Sequence, residues 1–259
     1  MAKGANNTPK TRRNKQDKGE GREVKPKFQE IRKESIKPLV AKNDRQKQAL
    51  RSFTHRQLVI LSGASGVGKT ELMVWWACKQ WLEGNIDNIV ITRPYQHLGS
   101  DYGATKGNDS EKLLPFCMSM LSKMRKYLGA GVLSTNFRLD GFETLFAEAD
   151  GIQIIPIEKI QGMSFNDKTI ILADELQNSS VAQVKALTTR AEEGCQIICA
   201  GDLRQTAIGK NNGMAFIEHV LDKYPTDYAE TIYFQKDDVV RGGLTAHLVS
   251  AFDEESEIW

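Results

Sequence analysis

Residues 63–70, Gly-Ala-Ser-Gly-Val-Gly-Lys-Thr, constrain this chain more than any other stretch. They fit G-x-x-x-x-G-K-[ST], the pattern of a phosphate-binding loop, with Gly63, Gly68, Lys69 and Thr70 at its fixed positions. Backbone N–H groups from Gly63, Ala64, Ser65, Gly66, Val67 and Gly68 can ring a phosphate, because glycines put no Cβ in its way. Lys69 supplies a cation for the β- and γ-phosphates and Thr70 a hydroxyl for Mg²⁺, while the helix starting there adds its positive end. Leu58-Val59-Ile60-Leu61 ahead of the loop reads as a buried strand. Leu72, Val74, Trp75, Trp76, Cys78 and Leu82 behind it read as an apolar helix that ends at Gly84. The alternative is a glycine-rich turn with a solvated lysine, which the strand–loop–helix order disfavours. The motif implies a bound nucleoside triphosphate.

Two further apolar runs end in polar loops. Ile170-Ile171-Leu172-Ala173 leads into Asp174-Glu175, at the strand end where an open α/β sheet presents ligands. Asp174 suits a metal ion held through its water shell, and Glu175 suits the orientation and deprotonation of an attacking water. Taken alone, a solvated acidic turn is an equal alternative. Ile197-Ile198-Cys199-Ala200 leads into Gly201-Asp202-Leu203-Arg204-Gln205, where the Gln205 amide can sense a γ-phosphate or hold the water and Asp202 can buttress it. In a doubly wound sheet this strand would neighbour both earlier loops.

Together with Asp174-Glu175-Leu176-Gln177-Asn178, these elements make the chain resemble the PhoH-like family, P-loop ATPases related to superfamily 1 helicase cores. The likeness covers most of residues 43–252. It includes Gln46, similar to an upstream adenine-reading glutamine, and Ile91-Thr92-Arg93-Pro94. It also takes in Glu111-Lys112-Leu113-Leu114-Pro115, Leu187-Thr188-Thr189-Arg190 and Asp238-Val239-Val240-Arg241. The chain departs from the family at Gln161-Gly162, where an arginine usually precedes the glycine, and in Leu98–Asn108, which lacks the usual Leu-Pro-Gly.

The resemblance implies a three-layer α/β P-loop NTPase (RecA-like) domain with a mostly parallel sheet and helices on both faces. It implies ATP and Mg²⁺ as cofactors, Lys69, Glu175 and Gln205 as catalytic residues, and Thr70 and Asp174 as metal-holding residues. Arg190 and Arg241 are candidate fingers, within the chain or across a subunit interface. For Arg93 a structural or nucleic-acid role fits better. A single core lacks the second wall that helicases close over their nucleotide, and a ring, six copies by the family likeness, would supply it. Shortness and a basic tail resemble phage-encoded members more than the longer bacterial form, with no RNA-cleaving PIN domain expected ahead of the core.

Composition fits a single enzyme domain behind a tail. The chain has 259 residues, 40% hydrophobic and 26% charged, enough for one sizeable core. Residues 1–42 carry 13 Lys/Arg against 5 Asp/Glu, a net +8, so residues 43–259 carry −6 of the chain's +2. Residues 1–42 are therefore expected as a partly disordered tail, and 43–259 as the ATPase domain with an insertion over 95–150. The tail either attracts nucleic-acid phosphates through counterion release or serves only as a solubilising arm; residues Phe28–Val40 are expected to pack in part on the core. Cys78, Cys117, Cys195 and Cys199 form no C-x-x-C pair and read as buried hydrophobes in a reducing, cytoplasmic setting. No apolar run reaches membrane-spanning length and the N-terminus lacks a signal peptide's apolar segment.

Strands are expected near 58–62, 88–92, 152–157, 169–173, 196–200 and 230–234, and helices near 44–54, 69–82, 111–127, 180–191, 213–223 and 242–252. Residues 95–150 show no clear strand. Their Tyr95, His97, Tyr102, Lys106, Lys112, Lys123, Arg125, Lys126 and Arg138 either contact single-stranded nucleic acid or form an ordinary solvated face. The function that follows is Mg²⁺-dependent ATP hydrolysis, coupled to unwinding or remodelling of RNA or single-stranded DNA. One alternative is an ATP-gated binding module with slow hydrolysis. A small-molecule kinase is another, which the Asp174-Glu175 pair disfavours because it suits water as the attacking group.

Overall fold

The computed structural model describes residue 1 and residues 36–95, 109–138, 151–240, 242–244, 247–248 and 251. All its elements belong to the unit spanning residues 32–259. Helix α1 (Asp44–His55) opens it, capped by Asn43, whose side chain accepts the Gln46 N–H at 2.8 Å. Strand β1 (Leu58–Ser62), helix α2 (Lys69–Leu82) and strand β2 (Asn88–Thr92) follow, then helices α3 (Asp109–Leu128) and α4 (Ala130–Asn136). Strands β3 (Phe137–Arg138), β4 (Gly151–Ile154) and β5 (Thr169–Ala173) come next. The chain continues through α5 (Val181–Thr189), β6 (Gln196–Gly201), α6 (Gly213–Lys223) and β7 (Ala229–Tyr233).

Seven strands form one sheet in the order β3-β4-β2-β5-β6-β1-β7, and every pairing is parallel. Parallel strands must bury both faces, so β1, β2, β5 and β6 are apolar almost throughout. Alternate residues divide between the layers. Ile60, Val90, Ile171, Ile197 and Cys199 pack with Val184, Leu187, Met214 and Ile217 of α5 and α6. On the other side α2 contacts β2, β5, β6, α1 and α3, with Phe53 and Trp76 rings 5.8 Å apart. This is the three-layer, RecA-like α/β architecture.

The elements follow the sequence pattern with three differences, of which the first is the unexpected short helix α4, which begins after Gly129 at φ 82°. Strand β4 stops at Ile154 rather than continuing to 157; Pro156 brings no N–H, and the chain turns into a 3₁₀ helix over Ile157–Gly162. The insertion does hold a strand, β3, two residues long and therefore without any readable periodicity. Of the helix expected over 242–252, residues 244, 247, 248 and 251 are helical and the His247 N–H donates to the Gly243 carbonyl at 3.3 Å; residues 245–246, 249–250 and 252 lie outside the described residues. All four cysteines are free and buried. Burial pushes the thiols up, Cys117, Cys195 and Cys199 to about 12, which leaves them poor nucleophiles. No described helix is long and apolar enough to cross a membrane.

Candidate active site

The strand order puts β6 between β5 and β1, so the loops ending these three strands share one edge of the sheet. They line a single cavity of about 460 Å³ with Ser65, Gly66, Gly68, Lys69, Thr70, Asp174, Glu175, Asp202 and Gln205 in its wall. Every phosphate, metal and water residue expected from the sequence, apart from Gly63, Ala64 and Val67 of the loop itself, is brought to that wall.

The loop itself is braced from three sides. Its entry continues the sheet, Gly63 N–H donating to the Gly201 carbonyl at 3.1 Å. Gly63 takes φ 143°, and a Cβ there would meet the Phe234 carbonyl oxygen at 2.6 Å, so only glycine fits. Gly66 accepts the Val240 N–H at 3.2 Å, which ties the chain beyond β7 to the loop. Gln46, 5% exposed, spans the gap beneath: Nε2 donates to the Val67 carbonyl at 2.8 Å and Oε1 accepts the Lys42 N–H at 2.9 Å. Gln46 does not line the cavity; its amide is engaged by the loop and by Lys42. Lys69 Nζ donates to the Gly63 and Ala64 carbonyls. Burial pushes its pKa down, and Asp202, Asp174 and Glu175 oppose that.

The acidic pair is set by backbone conformation. Glu175 has φ 55° and ψ 38°, the one left-handed non-glycine among the described residues. Such a residue costs conformational energy that its surroundings must offset, and it clusters at functional sites. Its amide neighbours do so here. Gln177, 1% exposed, donates from Nε2 to Glu175 Oε2 at 2.6 Å and accepts the Asp202 N–H on Oε1 at 3.1 Å. Gln177 thus joins the loop after β5 to the loop after β6. The sequence reading gives it no role, and in a turn as polar as Asp174-Glu175-Leu176-Gln177-Asn178 nothing singles out this amide. Burial, then Glu175, push Asp174 up to about 6, and Arg93 and Lys69 offset only part of this. A carboxylate on the same cavity wall as a threonine hydroxyl fits Mg²⁺, which asks for one or two carboxylates and fills its shell with water and phosphate oxygens.

Other expectations need correction. The Asp202 carboxylate holds Arg204, accepting its backbone N–H and its Nε at 3.1 Å, whereas Gln205 is tied, among the described residues, through its N–H to the Asp202 carbonyl at 2.9 Å. Arg190 ends α5, and its carbonyl accepts the Phe165 N–H ahead of β5. That is the sheet edge opposite Asp174, roughly 16 Å of strand away, too far for a guanidinium to reach the cavity of its own chain. Arg241 lies outside the described residues. Arg93 takes a structural part, donating from Nη1 to the Phe116 carbonyl at 2.7 Å. Lys123 and Lys126 pair with Glu71 at the cavity wall. His97, Tyr102 and Lys106 lie outside the described residues.

The sequence profile of the family described as "PhoH-like protein" matches residues 38–253. The chain belongs to the PhoH-like family. It is 28% identical over 218 residues to "Protein PhoH" of Escherichia coli (strain K12), covering 83% of this chain and 58% of that protein. To a "PhoH-like protein" of Bacillus subtilis (strain 168) it is 30% identical over 213 residues, covering 82% of this chain and 63% of the relative. The chain therefore spans about three fifths of the length of these curated relatives. Among solved structures it is similar to the large terminase of a thermophilic bacteriophage in complex with ADP. That likeness has 14% identity and a TM-score of 0.48, over 78% of this chain and 47% of that one. It is also similar to the Pif1 helicase from Candida albicans, with 10% identity and a TM-score of 0.36, over 77% of this chain and 41% of that one.

Proposed function

We propose that the chain is a Mg²⁺-dependent ATPase whose hydrolysis is coupled to remodelling RNA or single-stranded DNA. The observation that carries hydrolysis is the meeting of three loops on one cavity: Lys69 and Thr70 after β1, Asp174 and Glu175 after β5, Gln205 after β6. Lys69 exchanges its two carbonyl partners for β- and γ-phosphate oxygens, while the loop N–H groups hold the rest of the phosphates. Thr70 and Asp174 would hold Mg²⁺, which would neutralise charge on the phosphates. Glu175 orients and deprotonates the attacking water. Gln177 occupies its Oε2, which leaves the other oxygen for that water. Gln205 senses the γ-phosphate from the third loop.

The nucleic-acid step rests on the family likeness and on the charge of residues 1–42, net +8 from 13 Lys/Arg and 5 Asp/Glu. A ring of copies would supply the wall and the finger that one core lacks, with Arg190 or Arg241 reaching a neighbour's cavity. Phosphate release measured with single-stranded RNA, single-stranded DNA and neither tests both parts. ATP hydrolysis that depends on Lys69 and rises with a single strand is expected. Hydrolysis unchanged in Lys69→Ala contradicts the site, and slow hydrolysis that no strand accelerates favours an ATP-gated binding module instead.

A further inference from the structure

Lys123 and Lys126 are charges on the cavity wall that the hydrolytic residues leave without a part. They project from α3, and both line the same cavity as Lys69. Glu71, the residue after Thr70, holds the pair. Its Oε2 accepts from Lys123 Nζ at 2.8 Å and its Oε1 from Lys126 Nζ at 2.7 Å, with the Tyr127 hydroxyl on that second oxygen. One carboxylate against two ammonium groups leaves a positive excess beside the phosphate loop. The cluster is distinct from the acidic one: Asp202, Asp174 and Glu175 act on Lys69, whereas Lys123, Lys126 and Tyr127 act on Glu71.

The same flank of α2 carries the segment ahead of α1. Trp75 Nε1 donates to the Lys37 carbonyl at 3.1 Å, and Leu39 and Lys42 from that segment also line the cavity. The cluster therefore lines the cavity that it shares with the loop. The side chains of Lys126, Lys123 and Glu71 are 64%, 31% and 25% exposed, so Lys126 is open to water and adds little to the stability that Lys123 and Tyr127 give Glu71. A tie between helices does not need both cations, and both stand on the wall of a site for a polyanion.

We infer that Lys123 and Lys126 are a second cationic arm of the nucleotide site, which binds polyphosphate oxygens in exchange for Glu71. This rests on the nucleotide reading of the cavity. The ligand class is a nucleoside di- or triphosphate. Glu71 competes with it for the two ammonium groups, and so sets affinity lower than the lysines alone would give.

The consequence is a pair of effects of opposite sign. In calorimetric titrations of the full chain with ATP, Lys123→Met/Lys126→Met weakens binding about tenfold, the worth of one charge-assisted phosphate contact. Lys123→Arg/Lys126→Arg restores it. Glu71→Gln tightens binding about threefold, because it releases both cations from a partly exposed pair. Thermal unfolding of each variant checks that the fold persists. ATP binding equal to wild type in the double methionine variant, or weakened by Glu71→Gln as well, overturns the proposal and leaves only a helix tie. Lys69→Ala serves as the reference. Its loss of ATP binding beside a silent lysine pair confines the failure to the arm, while ATP binding undiminished by Lys69→Ala overturns the nucleotide reading and the arm with it.

Discussion

Glu175 and Gln177 act as a unit at the end of β5. The left-handed turn at Glu175 aims its carboxylate at the cavity, and the buried Gln177 amide fixes one of its oxygens while gripping the Asp202 N–H. Gln177 is thus a positioning residue. Gln177→Ala should lower kcat by about a hundredfold, the cost of a small misplacement of a reacting group, with KM for ATP little changed. Steady-state kinetics decides it: a lower melting temperature with unchanged kcat would make Gln177 a packing residue only. Gly63 makes a second residue-scale prediction. Gly63→Ala forces a side chain into φ 143° and against the Phe234 carbonyl, so urea unfolding should find it less stable by about 1–3 kcal/mol. Stability equal to wild type would contradict this reading of the loop's entry.

At the scale of elements, α2 does two jobs. Its first turn faces the cavity, and Glu71 in that turn ties it to α3. Burial alone would raise the Glu71 pKa, but hydrogen bonds from Lys123, Lys126 and Tyr127 outweigh it and hold the group at about 2. A depressed folded value means stability present above the unfolded value of 4.5 and lost as pH falls toward 2. Chemical denaturation followed from pH 5 to pH 2 should lose stability more gently in Glu71→Gln than in wild type; identical slopes would remove Glu71 from the account. The strands and helices carrying the three loops were legible because each is long and apolar, as Ile170–Ala173 is. What was not legible is short or tertiary. Phe137–Arg138 pairs only because β4 is there to receive it, and the turn over Ile157–Gly162 answers to Pro156 and to packing. The Gln46 amide illustrates the same limit: the Val67 carbonyl it holds lies 21 positions along the chain, and no local pattern announces that contact.

For the molecule as a whole, strand order does the assembling. Asp174 and Lys69 are far apart in sequence and meet because β6 alone separates their strands. The same order explains why Arg190, read from a family block, ends at the opposite edge: α5 runs back across the sheet before β6 begins. Charge is the other molecular feature, concentrated in the first 42 residues. Deleting residues 1–35 should weaken binding to single-stranded RNA and flatten the dependence of log K on log salt. A titration series at several salt concentrations reads both, and an unchanged slope would leave the segment as a solubilising arm.

The most direct test is Glu175→Gln, assayed for ATP affinity and for phosphate release in one preparation. The three-loop site predicts affinity close to wild type and turnover reduced by about 10²–10⁴-fold, since binding needs the loop but the water needs the carboxylate. Turnover at the wild-type rate would contradict it.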